Sequence, residues 1–523
     1  MILAYTAADV RAAEQPMLAA GVPLMDRAAH ALAVRVTQLL RERRGRVRGA
    51  SVVVLAGAGA NGGDALHAGA LLARRGVEVC ALLTSTRAHE GGLTALRAAH
   101  GRVLQVGEGP GAPVWAGEAI ADAYAADVVL DGVLGIGANG AVRGPAAEVL
   151  ALLGELIDDE RAGGRGPGPL VVAVDTPSGI DVDTGVVPRT EPHERHEPHR
   201  TVLAADLTLT FGAAKAGLLL PPATRCAGQV EVVDIGLDLD DVRPAVARLE
   251  GADVAGLWPV PSPDAHKYSR GVLGIVAGTP SYPGAAVLTV SAAVAAGVGM
   301  VRYLGSPGVS ATVLSMRPEV VAGDGRVQAW TLGPGVDPDD LAQAERVHAA
   351  LAAVIAQEQP AVVDAGALSL VPERLAPWVV LTPHAGELAA LLSARGEDVD
   401  RAQVEAEPLR WARRAHELTH ATVLLKGPTT LVVGAGGAVY SQADAPSWLA
   451  TAGAGDVLAG LLGALLAGRA ADVVADPSLV AALAAAAALV HGRAADRANP
   501  GGPVSALAVA DALAGTVAEL LRG

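Results

Sequence analysis

The sequence predicts an α/β fold in which a parallel sheet is covered by helices on both faces, built twice along the chain. Short runs rich in Val, Leu and Ile alternate with longer stretches of helical periodicity. These runs are apolar throughout, as is typical of strands buried on both faces. Gly-rich or polar turns follow them. With 523 residues, the chain has room for two or three domains of roughly 100–200 residues.

Composition narrows the possible functions. A net charge of −15 argues against a nucleic-acid surface. Cys80 and Cys226 form neither a disulfide framework nor a C-x-x-C motif, and no signal peptide is apparent, so a cytoplasmic location is expected. The apolar runs at 457–467 and 481–490 fall short of the roughly 18 residues that span a membrane, and they predict buried Ala-rich helices. We expect small-molecule substrates, no membrane partner and a homo-oligomer.

In the first half, helical periodicity begins at Thr6, a predicted N-cap, and continues to about Leu40. The predicted strands are 51–56, 77–83, 128–130, 170–174 and 207–210. The tract 188–200 carries His193, His196 and His199 among Pro and charged residues. It is interpreted as a solvated loop insertion, with a metal-binding tract as the alternative.

The second half repeats the rhythm after a predicted linker, Asp238 to Pro263. The predicted strands are 272–277, 329–331, 362–363, 379–381, 423–425 and 431–433. We therefore expect one domain over 1–240 and a second over 250–523, with the boundary near residue 245.

A Gly-rich turn follows the strand at 51–56. Gly57 to Gly62 satisfies G-x-G-x-x-G, so an NAD-dependent dehydrogenase must be considered. However, Asp64 would repel a pyrophosphate at this helix start, and Glu78 comes too early to bind a ribose. A dehydrogenase would also explain nothing after residue 250.

Polar side chains stand at three predicted strand ends. They are Asn61, Asp131 and Ser178. The carboxyl ends of parallel strands meet at one edge of a sheet, so these residues could converge. Amide, carboxylate and hydroxyl oxygens suit a hard cation. Each residue taken alone is more often a turn residue or a helix cap.

The first half resembles the NAD(P)H-hydrate epimerase domain, across roughly residues 1–237. The matching stretches are 61–64, 131–137, 175–185 and 205–212 with Lys215. The resemblance implies a Rossmann-like fold and a potassium ion on Asn61, Asp131 and Ser178. It also implies substrate contacts, namely by Asn61, Gly62, Gly63, Asp64, Gly135, Ile136, Gly137, Ala138, Asn139 and Asp175.

The epimerase reaction requires few catalytic groups. The hydrate carries a hydroxyl on C6, beside the ring nitrogen. The nitrogen lone pair can expel this hydroxyl, and water can return on the other face. Either Asp175 or Asp64 could shuttle the proton, and Asp175 is our hypothesis for the acid/base.

The chain departs from the epimerase family at four positions. The family commonly has Asn where Ala60 stands, Gly where Ala65 stands, Ala at Gly132 and Thr at Ile136. The changes at Ala60 and Ala65 leave open an alternative, a first half that is only a scaffold.

In the second half, Ala452-Gly-Ala-Gly-Asp456 precedes a strongly helical run. Backbone N–H groups at such a helix start can hold phosphate. Asp456, in the first turn, could activate a hydroxyl. This pattern resembles the anion hole of ribokinase-like kinases.

Further strand-end turns sharpen the resemblance. They are 266–271, 278–286, 332–335, 364–368, 381–387 and 425–430. Together they resemble the ADP- or ATP-dependent NAD(P)H-hydrate dehydratase domain, across roughly 260–520. This resemblance implies a ribokinase-like three-layer αβα domain. The chain departs from it at Gly366, where the family usually has an acidic residue, and at Tyr268, where it usually has Gly.

The resemblance also implies the residues of a second site. Nucleotide binding falls on Lys426, Gly427, Pro428, Thr429, Thr430 and Gly455. The hydrate site is lined by Ala285, Gly335, His384 and Asp456. Asp456 would act as the base, and Mg²⁺ would neutralise the phosphates. His384 is interpreted as substrate-binding, with a structural turn residue as the alternative.

The implied function is the repair of hydrated NADH and NADPH, NADHX and NADPHX. The first half would interconvert their R and S forms. The second half would dehydrate the S form at the expense of ADP, giving AMP and phosphate, or at the expense of ATP. The main rival is a ribokinase-like kinase of a small metabolite.

Overall fold

The computed structural model describes residues 1–107, 111–137, 140–164, 168–188 and 202–523. The chain divides into an N-terminal unit, Leu3–Ala245, and a C-terminal unit, Val246–Gly523 with Met1–Ile2. Two predictions lie outside the described residues. They are the substrate contacts of Ala138 and Asn139, and the His-rich tract from residue 189 onward.

Helices and strands alternate along the N-terminal unit. Its elements are β1 Ile2–Tyr5, α1 Ala7–Ala19, α2 Leu24–Arg44, β2 Ser51–Ala56, α3 Ala60–Arg74, β3 Glu78–Leu83, α4 Glu90–Ala98, β4 Arg102–Val106, β5 Ala112–Val114, α5 Ala116–Tyr124, β6 Val128–Gly132, α6 Pro145–Gly163, β7 Leu170–Val174, β8 Leu207–Phe211, β9 Ala214–Lys215, α7 Ala216–Leu219, α8 Thr224–Ala227 and β10 Gln229–Val233. The main sheet has the order β10-β8-β7-β6-β2-β3-β4-β5, and its strands are all parallel.

Strand β2 shows why this unit has three layers. Val52 and Val54 point into one hydrophobic cluster, whereas Val53 and Leu55 point into another. Alternate side chains of a strand lie on opposite faces, so both faces of the sheet are buried. The predicted α/β class, with helices on both faces, is therefore confirmed here.

The predicted long first helix is wrong in one respect. Thr6 caps α1 as predicted, because its side chain accepts from the Asp9 backbone and Asp9 accepts from Thr6. The helix then stops, and α2 starts only at Leu24. Gly21 has a φ of +73°, and Pro23 has no N–H to continue a helix. These two residues were the overlooked stop signal.

The C-terminal unit has the same alternation. Its elements are β11 Val246–Arg248, α9 Gly251–Leu257, β12 Val272–Val276, α10 Pro283–Ala295, β13 Met300–Tyr303, α11 Pro307–Met316, β14 Val321–Ala322, β15 Ala329–Leu332, α12 Leu341–Ala356, β16 Ala361–Val363, β17 Val379–Leu381, α13 Ala385–Ser393, α14 Arg401–Ala406, α15 Pro408–Thr419, β18 Thr422–Leu425, β19 Thr430–Gly434, β20 Ala438–Gln442, α16 Ala454–Gly468, α17 Ala470–Ala475, α18 Leu479–Ala498 and α19 Ala506–Leu520. The strand order is β14-β13-β12-β15-β16-β17-β18-β19-β20-β11.

Two features of this unit differ from the sequence predictions. The first seven strands in this order, from β14 through β13 and β12 to β18, are parallel to one another. Strand β19 runs antiparallel to both of its neighbours. The predicted linker contains β11 and α9, and β11 pairs with β20. A short strand and a seven-residue helix carry too little periodicity to be recognised in a polar stretch.

The Ala-rich helices lie in the core, as predicted. Helix α18 is 20 residues long and apolar enough by composition to cross a membrane, but 83% of its most apolar stretch is buried within the protein. Its residues share one hydrophobic cluster with α10, α16 and α19. This helix therefore stabilises the C-terminal unit from inside.

Candidate functional sites

The N-terminal unit contains a cavity of about 510 Å³ at the carboxyl edge of its sheet. Its charged lining residues are Glu14, Asp64 and Asp175. The remaining lining residues are Leu18, Leu24, Met25, Ala28, Ala58, Gly59, Ala60, Asn61, Val133, Leu134, Gly135, Ile136, Gly137, Phe211 and Ile235. The cavity thus joins acidic groups to an apolar wall, as small-molecule sites commonly do.

The Gly-rich segment allows close packing of strand and helix. A side chain at Gly57 would place its Cβ 1.9 Å from the Val133 carbonyl oxygen, and one at Gly62 would reach 2.2 Å from the Gly57 carbonyl oxygen. Helix α3 already begins at Ala60, so Gly62 and Gly63 lie buried within its first turn. They pack against protein and do not line the cavity.

Asn61, Asp131 and Ser178 converge as predicted. The Asp131 carboxylate is fully buried and accepts from the Ser178 hydroxyl at 2.6 Å and the Ser178 N–H at 2.8 Å. The Ser178 hydroxyl accepts from the Leu134 N–H, and Asn61 Nδ2 donates to the Leu134 carbonyl, both at 2.8 Å. Asn61 Oδ1 is buried with no partner among the described residues. Burial raises the pKa of Asp131, against the hydrogen bonds from Ser178.

Asp175 is held in place by Lys215. Its Oδ1 atom lies 2.5 Å from Lys215 Nζ and also accepts from the Thr210 hydroxyl and the Phe211 N–H. Lys215 is 1% exposed, and it donates to Thr210 and the Phe211 carbonyl as well. Asp175 has a φ of +65°, which is uncommon outside glycine. Such strained conformations cluster at functional sites.

Two further carboxyls face this pair. Burial, with the charges of Asp175 and Glu14, raises the pKa of Asp64 to about 8. Burial also raises the pKa of Glu14. Glu14 lies in no motif that the sequence singled out. Its only signal was a carboxylate in the first helix, which is typical of a solvated helix face.

In the C-terminal unit, the turns that follow the parallel strands lie together at the carboxyl edge of the sheet. Val363 in β16 pairs with Leu332 on one side and with Leu381 on the other. The next residues, among them Asp364 and Thr382, therefore lie at one level. The Thr382 hydroxyl donates to Asp364 at 2.8 Å.

Lys426, which directly follows β18, interacts with two acidic side chains from other segments. Its Nζ lies 2.6 Å from the buried Asp364 carboxylate and 3.7 Å from Glu387. Burial alone would lower the pKa of Lys426, but Asp364 and Glu387 raise it above the ordinary value. The predicted nucleotide residues 426–429 form the turn between β18 and β19, and Thr430 is the first residue of β19. Sequence reasoning missed Asp364 and Glu387 as partners of this lysine.

The start of α16 lies beside this lysine. A Cβ at Gly455 would lie 3.4 Å from Lys426 Nζ and 3.9 Å from Asp364 Oδ2. Gly453 caps the helix with a φ of +88°. Burial, with the charge of Asp364, raises the pKa of Asp456 to about 6. The predicted phosphate-binding helix start and its acid are therefore adjacent to the predicted nucleotide lysine.

His384 is the N-cap of α13. Its Nδ1 accepts from the N–H groups of Gly386 and Glu387, and Glu387 accepts from the His384 N–H. The structural-turn alternative is thus correct for one ring nitrogen. The other, Nε2, lies 3.6 Å from Glu387 Oε1, and the side chain is 55% exposed. It remains accessible to a ligand.

The other predicted hydrate-site residues are also brought together. A Cβ at Gly335 would lie 2.5 Å from the Ala285 methyl. One turn along α10, Leu288 lies against Gly453, whose Cβ would be 3.9 Å from the Asp456 carboxylate. A contact path therefore links Ala285 and Gly335 to Asp456.

Two α/β units, each with polar groups at the carboxyl edge of its strands, define a two-site α/β enzyme. Residues 21–217 match the family model described as YjeF-related protein N-terminus, and residues 273–513 match the one described as NAD(P)H-hydrate dehydratase. The bifunctional NAD(P)H-hydrate repair enzyme of Mycobacterium tuberculosis is 41% identical over 479 residues, which cover 88% of this chain and 89% of that protein. The chain belongs to the family of bifunctional NAD(P)H-hydrate repair enzymes.

Other relatives match one half or both. The NAD(P)H-hydrate epimerase of Clavibacter michiganensis is 43% identical over 250 residues, covering 46% of this chain and 94% of that protein. A solved ADP/ATP-dependent NAD(P)H-hydrate dehydratase from Bacillus subtilis aligns with a TM-score of 0.46 and 23% identity. It covers 53% of this chain and 99% of that one.

Proposed function

We propose that this chain restores NADH and NADPH from their hydrates in two steps. The N-terminal unit interconverts the R and S forms of NADHX and NADPHX, and the C-terminal unit dehydrates the S form, using ADP and releasing AMP and phosphate. The observation that carries this proposal is family membership across 88% of the chain. The convergence of the predicted residues in each unit supports it.

In the epimerase, Asp175 acts as the general base and Asp64 as the general acid. Lys215, Thr210 and Phe211 each donate a hydrogen bond to Asp175 Oδ1, and together they fix the orientation of this carboxylate. This setting suits a base that accepts a proton from the incoming water. Asp64, with a pKa of about 8, suits the acid that protonates the leaving hydroxyl.

The donor set beside the cavity fits a potassium ion. Asn61 Oδ1 is buried without a partner, its orientation is set by the bond from Nδ2 to Leu134, and Asp131 and Ser178 supply further oxygens. A hard monovalent cation satisfies such oxygens. When bound, it would order the loop after Asp131. Lower epimerase activity in a buffer that holds tetramethylammonium instead of potassium is the expected result.

In the dehydratase, Asp456 takes the proton of the C6 hydroxyl. The hydroxyl oxygen then bonds to the terminal phosphorus of ADP, and AMP leaves. The ring nitrogen expels the phosphate as C5 loses a proton, which restores the reduced ring. Lys426 and the N–H groups around Gly455 would hold the phosphates, and Asp456 and Asp364 are the oxygen donors suited to Mg²⁺, which neutralises phosphate charge when bound.

We further propose a cytosolic homo-oligomer. Cys80 and Cys226 are both buried thiols, which suits a reducing compartment. Light scattering on the purified chain tests the assembly, and a monomeric mass would contradict it.

The test of function is recovery of the reduced-nicotinamide absorbance. Purified protein is incubated with mixed R and S NADHX, Mg²⁺, and either ADP or ATP. Full recovery, faster than spontaneous epimerisation, is expected with ADP. Recovery that stops at the S fraction would leave the first half a scaffold. A stable phosphorylated product without NADH would identify a small-metabolite kinase instead.

A further inference from the structure

Glu14 is a carboxylate on the cavity wall that the predicted chemistry does not use. It lies on α1, four residues before Leu18, which also lines the cavity. Within the described residues, the side-chain carboxyl groups of Glu14 and Asp64 have no hydrogen-bond or ion-pair partner. Partly buried polar groups are normally satisfied by protein or water, so unsatisfied ones that face a cavity are available to a ligand.

The ionisable side chains of the cavity lining are all acids. They are Glu14, Asp64 and Asp175, and no basic side chain stands among the described lining residues. Lys215 lies behind Asp175 and is almost fully buried. Arg11, the other cation that acts on Glu14, donates to the Ile136 carbonyl. A phosphate would be repelled from this wall, whereas a ring that carries positive charge would be attracted.

The epimerase step creates such a ring. The C6–O bond breaks, its electron pair leaves with the oxygen, and that oxygen takes a proton from Asp64 to depart as water. The N1 lone pair forms the N1=C6 double bond, so the ring becomes a cation and Asp64 a carboxylate. Water then adds to C6 on the other face and gives a proton to Asp175.

We propose that Glu14 is a third functional carboxylate of this cavity, whose negative charge stabilises the cationic ring. The inference rests on the proposed epimerase function, and it adds a residue outside every predicted motif. The negative charge of Glu14 also orients the substrate, because the hydrated ring enters the acidic cavity while the pyrophosphate stays outside. Fixed charges that are in place before the reaction stabilise developing charge efficiently.

A charged and a neutral ring on the same nucleotide test this directly. NAD⁺ carries a planar cationic ring, and NADH a neutral one. Glu14→Gln should weaken NAD⁺ binding to the full chain about tenfold and leave NADH binding nearly unchanged. Glu14→Asp, which keeps the charge, should retain most of the NAD⁺ affinity. Glu118→Gln, at an exposed site on α5, is the matched control and should bind as wild type.

Kinetics provide the second readout. Glu14→Gln should lower kcat for R-to-S conversion about tenfold, with KM little changed. An equal loss of NAD⁺ and NADH binding, or no loss of either, would overturn the inference, since a merely structural role predicts no discrimination by charge. A different outcome separates the two claims. If Glu14→Gln loses NAD⁺ binding but keeps NADH binding, while wild type does not interconvert R and S NADHX, the epimerase function is refuted and the inference about the charge of Glu14 stands.

Discussion

A methyl group on Gly132 would lie 2.6 Å from the Cβ atom of Ala65. The two residues face each other where β6 meets α3, and such a distance is far too short for two carbon atoms. The family commonly has the reverse arrangement, with Ala at the first position and Gly at the second. The two departures therefore compensate each other, and together they keep the strand and helix in close contact. This pairing argues against a decayed N-terminal scaffold.

The exchange of Ala and Gly between positions 65 and 132 predicts that substitutions at these two positions have strongly non-additive effects on the free energy of unfolding. Gly132→Ala alone should cost roughly 1–3 kcal/mol through overpacking, and Ala65→Gly alone about 1 kcal/mol through lost helix propensity. The double variant should recover most of the Gly132→Ala loss. Denaturant unfolding of the four proteins measures the coupling. Gly137→Ala, which meets nothing within 4 Å, is the control, and simple additivity of the two losses would contradict the compensation.

Asp64 should make the N-terminal unit less stable as pH rises. Its folded pKa of about 8 lies above the ordinary value of 3.8, so the folded state holds a proton that the unfolded state releases between these values. Stability is therefore lost as pH rises through this window. Asp64→Asn removes that loss, so its Tm should exceed that of wild type at pH 8 and match it near pH 4. The opposite pH trend would show that Asp64 is ionised when folded.

The rate of dehydration should depend on the ionisation of Asp456, whose pKa is about 6. Since a base must be deprotonated, kcat/KM for dehydration should fall as pH drops below this value. Asp456→Asn should lower dehydration by about 10²–10⁴-fold. Epimerisation by the same variant is the internal control and should be unchanged. The variant should also be more stable than wild type above pH 6, because it no longer buries a charge; equal dehydration rates would remove Asp456 from the mechanism.

Gly366 should not tolerate any side chain. The family usually has an acidic residue here, yet a Cβ at this position would lie 2.0 Å from the Val336 carbonyl oxygen. Gly366→Ala should therefore destabilise the C-terminal unit by roughly 1–3 kcal/mol. Gly308→Ala, in α11 and with open space around it, is the matched control. Equal melting temperatures for the two variants would mean that the backbone shifts freely.

Local patterns in the sequence predicted most elements. The strands at 51–56, 170–174 and 379–381 agree with the structure residue for residue, because a run of large apolar residues between turn signals has few alternatives in a parallel sheet. The cap at Thr6 was likewise readable, since its partner Asp9 stands three residues away. The antiparallel β19 was not, because strand direction depends on pairing and leaves no mark in local periodicity.

The three lysines of this Arg-rich chain illustrate the boundary between sequence and structure. All three stand within or beside motifs that the sequence shows, and two of them, Lys215 and Lys426, pair with aspartates 40 and 62 residues away. Lys267 instead lies 5.1 Å from the centre of the Tyr268 ring. The motifs around these lysines were visible in the sequence, but the partners of the lysines were not.

The sequence by itself determined the two α/β halves, their strand-end motifs and the family. Only the tertiary structure decided which ionisable groups lie together: Glu14 with Asp64 and Asp175 in one unit, and Asp364 with Lys426 and Asp456 in the other. The physical reason is that periodicity and turn chemistry are local, whereas burial and charge interactions depend on neighbours that the chain brings together from distant positions.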